Sequence, residues 1–243
     1  MKIGILETGK VPEPLSTKHG DYPAMFERLL RSAAPQLQFA VYHVTEGQLP
    51  NSPDECDAWL ITGSRHGVYD TLPWIEPLKE FLRTAYSKDV PIVGICFGHQ
   101  ILAEALGGTA EKSHKGWALG VQKYLIHRKP SWMTGVDGEF SLNALHQDQV
   151  TRLPEDAEVV AGSGFCPYAV LVYRGSALSI QPHPEFQTGY LRDLIGVRRG
   201  KAIPEQDADA ALKGLGSPID TAQVAQWIVQ FLEERLAPGT KTA

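Results

Sequence analysis

Residue types that together could form and break a covalent acyl intermediate stand at two places in this sequence. The first is Cys96, within Pro91-Ile92-Val93-Gly94-Ile95-Cys96-Phe97-Gly98-His99-Gln100. A short apolar run precedes it and a helical pattern follows it. This Gly-x-Cys-x-Gly form is the thiol counterpart of the nucleophile elbow, where a reactive side chain sits on a sharp strand-to-helix turn. The backbone of such a turn is crowded, and Gly94 and Gly98 supply room. A thiol at the start of a helix faces unpaired N–H groups, which favour the thiolate. It also stands at the C-terminal end of a strand, where open α/β sheets place their sites. A small buried hydrophobe is the plain alternative for a free cysteine. The elbow alone leaves both readings open.

The second place is Gln181-Pro182-His183-Pro184-Glu185-Phe186. A thiol nucleophile needs a base, and the base needs an orienting group. Pro184 restricts His183 to an extended conformation, and Pro182 does the same for Gln181. Residues two apart in extended chain point to one side. Glu185 can therefore stand beside His183 and fix its tautomer, as the acid does in a Ser-His-Asp triad. A proline-rich surface turn with an incidental histidine would carry the same residues. The joint occurrence with the elbow makes each motif more telling.

An α/β scaffold must carry these side chains. Lys2–Glu7, Gln38–Val44, Ala58–Thr62 and Pro91–Ile95 read as strands. Tyr22–Ala33, Trp74–Tyr86 and Gly98–Leu106 have helical spacing, while Thr8–Gly20, with its prolines and glycines, reads as a loop. Such alternation predicts a mostly parallel open sheet flanked by helices. Further on, Trp117–His127, Glu139–Leu145, Glu158–Ala161, Tyr168–Tyr173 and Ala177–Ile180 are short strand-like runs. They predict added antiparallel strands that complete or flank the sheet. Residues 187–243 read as a helical C-terminal extension, broken by Pro204 and Gly214–Pro218. Its best helix is Asp220–Leu236, with Val224, Trp227, Ile228, Phe231 and Leu232 on one face. With no internal repeat, low-complexity tract or linker, residues 1–243 are expected to form a single domain.

Composition narrows the function classes. The 243-residue chain carries a formal net charge of −5 with no basic block. That argues against a nucleic-acid surface or a polybasic membrane anchor. No apolar run nears the ~20 residues of a membrane span. The N-terminus reads as a first strand, not a signal peptide. Cys56, Cys96 and Cys166 are odd in number and far apart, so a disulfide framework is not expected and a reducing cytoplasm fits. Cys-x-x-Cys and His-Glu-x-x-His spacings are both absent, so no metal site and no cofactor are expected.

The two motifs together resemble the class I glutamine amidotransferase family. Gly94-Ile95-Cys96-Phe97-Gly98-His99-Gln100 and His183-Pro184-Glu185 match in order and separation. The resemblance takes in Ile61-Thr62-Gly63-Ser64, Lys115-Gly116-Trp117-Ala118-Leu119-Gly120-Val121 and His146-Gln147-Asp148, and so spans about Lys2 to Phe186. It implies a flavodoxin-like sheet and a triad of Cys96 as nucleophile, His183 as general base and acid, and Glu185 as orienting carboxylate. It implies an oxyanion hole from the N–H of Phe97 and one in the Gly63-Ser64 turn. Gln100 matches a position that helps hold the glutamine substrate, and the backbone around His146 would hold the substrate's amino-acid end. The implied reaction is γ-glutamyl transfer through a thioester, with activity falling as His183 protonates.

Many family members work with a synthetase that consumes the ammonia. This sequence has neither a Walker-type loop nor a Ser-Gly-Gly-x-Asp-Ser nucleotide motif. Leu145-His146-Gln147-Asp148 also lacks the glycine that GMP synthase amidotransferase domains carry after this histidine. With Gly63-Ser64-Arg65-His66 and Asp70…Pro73-Trp74, the chain looks more like the stand-alone branch that includes γ-glutamyl peptidases. The expected substrate is therefore a small molecule, a γ-glutamyl peptide or glutamine. The alternatives are a glutaminase subunit serving a separate ATP-dependent synthetase, and a non-enzymatic sensor on the same fold.

Other residues carry less. Arg65 and His66 follow the oxyanion turn; Arg65 suits a substrate carboxylate, and a solvated loop is the equal alternative. His99 is expected to pack or hydrogen-bond within the core. Cys56 and Cys166 read as structural, Trp227 and Phe231 as core, and the acidic cluster Glu205–Asp209 as a solvated face.

Overall fold

The computed structural model describes residues 1–174 and 176–237. The apolar runs of the N-terminal half form strands β1 (Lys2–Glu7), β2 (Gln38–His43), β3 (Ala58–Ile61) and β4 (Ile92–Ile95). Between and after them lie helices α1 (Leu15–His19), α2 (Tyr22–Ala33), α3 (Ile75–Ser87) and α4 (Phe97–Ala105). The middle of the chain gives strands β5 (Thr109–Lys112), β6 (Ala118–Ile126), β7 (Glu139–His146) and β8 (Asp148–Arg152). Strands β9 (Ala157–Gly162), β10 (Val170–Tyr173) and β11 (Ala177–Ile180) follow. Helices α5 (Thr188–Arg198), α6 (Glu205–Gly214) and α7 (Thr221–Leu236) close the described chain.

The main sheet has nine strands in the order β2-β1-β3-β4-β11-β10-β9-β6-β7. The first five are parallel; the pairs from β11 onward are antiparallel. Helices cover both faces, so β3, β4 and β11 are buried at every position, as parallel strands between two layers must be. On one face α2 and α7 pack through Phe26, Leu30, Ile228 and Phe231 against Ile3, Ile5, Val93 and Ile95. On the other, α3 and α4 pack through Leu78, Leu82 and Ile101 against Trp59, Ile61 and Ile92. The mostly parallel sheet flanked by helices, with added antiparallel strands, is as expected from the sequence. Its register fixes the site: β4 and β11 run side by side, with Ile95 opposite Ile180. Cys96 and the Gln181–Glu185 segment therefore leave the same end of the sheet.

Three local expectations change. Part of the expected loop Thr8–Gly20 is helix α1, where the hydroxyls of Ser16 and Thr17 both bond the Glu13 carboxylate. Strands β5 and β8 form a separate two-stranded ribbon that short, charged Thr-Ala-Glu-Lys did not announce. The acidic cluster is not a merely solvated face, because Glu205 and Asp209 both hold the Arg199 guanidinium, at 2.8 Å each. Trp227 and Phe231 are core residues, as expected. The end of the helical extension, residues 238–243, lies outside the described residues. No described helix is long and apolar enough to cross a membrane.

Candidate active site

Cys96 sits between β4 and α4 with φ 55° and ψ −102°. A side chain with a Cβ rarely adopts a positive φ, and such strain persists only when neighbours over-determine it. Here the Cys96 N–H donates to the Ile180 carbonyl at 2.9 Å, and the Cys96 carbonyl accepts from the Gln100 N–H at 3.1 Å. The flanking glycines permit the close approach. A Cβ on Gly94 would stand 2.4 Å from the Gly98 carbonyl oxygen, and one on Gly98 would stand 2.5 Å from that of Ile61.

His183 arrives from the end of β11. Its N–H donates to the Asn143 carbonyl on β7 at 2.8 Å, and the Asn143 side-chain amide donates to the Phe186 carbonyl at 2.8 Å. The proline-held segment is thus clamped from the antiparallel half of the sheet. Glu185 Oε1 lies 2.7 Å from His183 Nδ1, on the side that the extended chain requires. The ring stacks flat on Phe186, with 3.8 Å between centroids and 3° between planes. The Cys96 side chain lies close enough to the same ring to act on its titration. His183 and Glu185 are 3% and 4% exposed.

Burial alone would lower the His183 pKa, but the negative charges of Glu185 and Cys96 overcome it and raise it to about 10. The shift favours the imidazolium form of His183.

The Gly63-Ser64 turn closes over this pair. A Cβ on Gly63 would lie 3.1 Å from His183 Cε1 and 3.7 Å from the Cys96 Cβ. Thr8 anchors the turn: its N–H donates to Thr62 Oγ1 at 3.0 Å and its hydroxyl to the Thr62 carbonyl at 2.9 Å. Thr8 was not singled out in the sequence. Its signal was its place directly after the first strand, at the end of the sheet that carries the site.

Gln100 Nε2 donates to the Asp148 carbonyl at 2.8 Å and to Gln181 Oε1 at 3.1 Å. His146 Nδ1 lies 3.1 Å from that same carbonyl. A carbonyl only accepts, so Nδ1 carries the proton. Burial pushes the His146 pKa down to about 3, which keeps the ring neutral. His99 is a core histidine, as expected: it bonds Ser179 Oγ at 2.7 Å, and burial lowers its pKa to about 3. Cys56 and Cys166 are buried and free, and burial pushes the Cys166 thiol up to about 12.

Cys96 opens into a cleft of about 620 Å³, lined also by Ser64, Arg65, Gln100, His146 and Arg198. Arg65 is exposed on its rim. Tyr69, another residue the sequence did not single out, lines it as well and donates its hydroxyl to Asp148 at 2.8 Å. The arrangement offers a sulfur nucleophile, a proton carrier held by a carboxylate, and a glycine turn at one mouth of a ligand-sized cavity.

Comparison with known proteins gives concordant matches. A family model described as glutamine amidotransferase class-I matches residues 22–194. A glutamine amidotransferase-like protein of Schizosaccharomyces pombe is 30% identical over 96% of this chain and 98% of its own. Gamma-glutamyl peptidase 3 of Arabidopsis thaliana is 30% identical over 83% of each chain. Among solved structures, a glutamine amidotransferase from Thermotoga maritima superposes with a TM-score of 0.75, at 19% identity and 97% coverage of each chain.

Proposed function

The chain belongs to the class-I glutamine amidotransferase family, and we propose that it hydrolyses γ-glutamyl amides through a thioester on Cys96. The observation that carries this reading is the His183 ring, held by Glu185 at 2.7 Å and meeting Cys96 under the Gly63 turn. Resting imidazolium beside a sulfur nucleophile suits acyl transfer, because the attacking atom and the proton for the leaving group are both in place.

The steps follow from that placement. The Cys96 thiolate adds to the γ-carbonyl carbon. The carbonyl oxygen takes the negative charge and meets the Phe97 N–H and a donor of the Gly63-Ser64 turn, which typically contribute about 3 kcal/mol each. The C–N bond then breaks, and the His183 proton goes to the departing amine. His183, now neutral, takes a proton from water as its oxygen attacks the thioester carbon. The C–S bond breaks, glutamate leaves, and thiolate and imidazolium are restored. Glu185 holds the ring and its charge throughout. Gln100 and the backbone around His146 hold the glutamyl amino-acid end, and Arg65 stands where a substrate carboxylate could meet it.

Several features support independent action on small γ-glutamyl compounds. The likeness to a gamma-glutamyl peptidase covers most of both chains, and the cleft is roomier than free glutamine requires. The three free, buried cysteines suit a reducing compartment. The continuous nine-stranded sheet supports reading the chain as one domain.

The test is release of glutamate from γ-glutamyl dipeptides and from glutamine, with Cys96→Ser as control. The wild type should turn over γ-glutamyl dipeptides unaided, and the variant should lose about a thousandfold or more. Intact mass during turnover should show a γ-glutamyl adduct on the wild type. Glutamine turnover that needs an added synthetase would replace this reading with that of a partner-dependent subunit. No turnover of any γ-glutamyl compound would end it.

A further inference from the structure

The cleft holds more positive charge than its own carboxylates answer. Arg65, Lys112 and Arg198 line it, and among the described residues no carboxylate pairs with any of them. Its two lining carboxylates are already engaged: Asp70 with His66 and the Gly67 N–H, Asp148 with the Tyr69 hydroxyl. Lys112 and Arg65 are exposed, where an ion pair gains little. Arg198 is half-buried, in the last turn of α5.

Its position relative to the chemistry is informative. Arg198 lies close enough for its charge to act on the buried hydroxyls of Tyr22 and Tyr190. Those rings continue the stack that begins at the catalytic histidine: Phe186 lies on His183, Tyr22 stacks on Phe186 at 6.1 Å, and Tyr190 meets Phe186 edge-on at 4.7 Å. The departing amine must face His183 to receive its proton. Whatever that amine carries extends from Cys96 into the cleft that Arg198 also lines. A planar guanidinium without a carboxylate partner suits a bidentate pair with a substrate carboxylate.

We propose that Arg198 is a specificity residue for the leaving group, which is an amino acid or peptide whose own carboxylate it clamps. This rests on the γ-glutamyl hydrolase reading above and sharpens it. The preferred substrate is a γ-glutamyl peptide with a free C-terminal carboxylate, in preference to glutamine or a γ-glutamyl alkylamide. The guanidinium also opposes the dipole at the C-terminal end of α5. A purely structural role of that kind would not depend on the substrate's far end.

The experiment compares γ-glutamylglycine with its C-terminal amide, which differ in that one charge, on wild type, Arg198→Gln and Arg198→Lys. Both kcat and KM are measured, with melting temperatures as a folding control. Wild type should prefer the acid by about tenfold to a hundredfold in kcat/KM, the scale of a charge-assisted hydrogen bond. Arg198→Gln should bring that preference toward unity, mainly by raising KM for the acid, and Arg198→Lys should retain part of it. Equal losses on acid and amide, or a wild type that does not distinguish them, overturns the assignment of Arg198 while leaving γ-glutamyl hydrolysis standing. A wild type inert on both substrates overturns the hydrolase reading and the subsite with it. If Arg198→Gln does not fold, the wild-type preference and the Arg198→Lys ratio still decide the matter.

Discussion

The rings of His183 and Phe186 lie face to face, 3.8 Å between centroids and 3° from parallel. Phe186 is fully buried and its carbonyl is held by Asn143, so it fixes the plane of the His183 ring. Phe186→Leu keeps an apolar side chain and removes the flat face. It should lower stability by about 1 kcal/mol. It should lower kcat roughly tenfold to a hundredfold through loss of ring alignment, with KM changing little. Steady-state kinetics alongside urea unfolding will separate the two effects. A fall in stability without a fall in kcat would show that the stack is packing alone.

Glu185 raises the His183 pKa against burial. The His183 pKa stands at about 10 against an ordinary 6.5, because Glu185 and Cys96 outweigh burial. A histidine raised in the folded state contributes stability that is full below about 6.5 and is lost as pH climbs through about 10. Activity that needs the imidazolium should follow the same upper limb. The pH profile of kcat/KM should therefore fall near pH 10 in the wild type. Glu185→Gln keeps a hydrogen-bonding side chain and removes the charge, so burial regains weight and the limb should move toward neutrality. A wild-type limb near the ordinary histidine value would refute the resting imidazolium.

The core histidines act in the opposite direction. His99 and His146 are neutral in the fold, with burial holding both pKa values at about 3. An unfolded chain protonates them below about 6.5, so the stability they permit is present above that pH and is lost as pH falls toward 3. Each should contribute a loss of about 1 kcal/mol per pH unit in that window. His183 is protonated in both states there and adds no slope. His99→Gln, which cannot titrate, should flatten the acid decline seen by urea unfolding between about pH 7 and about pH 4. An unchanged decline would show that His99 is not the source.

The meeting of Cys96, His183 and Glu185 was legible in the sequence because its signals are local. Gly94, Cys96 and Gly98 encode the turn through spacing, and Pro184 forces His183 and Glu185 onto one side. Helix α7 was legible through its single apolar face. What joins these pieces was not. The clamp on His183 comes from Asn143, far away in the chain, through a backbone carbonyl that any residue type could supply. Thr8 anchors the Gly63 turn across adjacent strands, a contact that only the parallel register creates. The ribbon of β5 and β8 was hidden because half-exposed strands with charged residues carry little apolar periodicity. The direction of the His183 pKa shift was hidden for a related reason. Motif and family resemblance name the partners, but the balance between burial and the groups facing His183 exists only in the folded site.

Two glycines test how tightly the elbow is built. A Cβ on Gly98 would meet the Ile61 carbonyl oxygen at 2.5 Å and the Ile61 Cβ at 2.8 Å. These are β3 atoms, so α4 could yield only by moving away from the sheet. The Gly63 turn, which follows Ile61 directly through Thr62, would move with them. Gly98→Ala should therefore destabilise by about 1–3 kcal/mol, the cost of overpacking a filled interior. It should also lower kcat, because the distance between Cys96 and the oxyanion turn changes. Gly196, inside α5, has nothing within 4 Å of an added Cβ. Gly196→Ala should stabilise by about 0.5–1 kcal/mol through helix propensity. Melting and kinetics of the two variants should thus move in opposite directions in stability, with a kcat defect confined to Gly98→Ala. A Gly98→Ala protein as stable and active as wild type would mean that the contact between β3 and α4 does not hold the nucleophile in place.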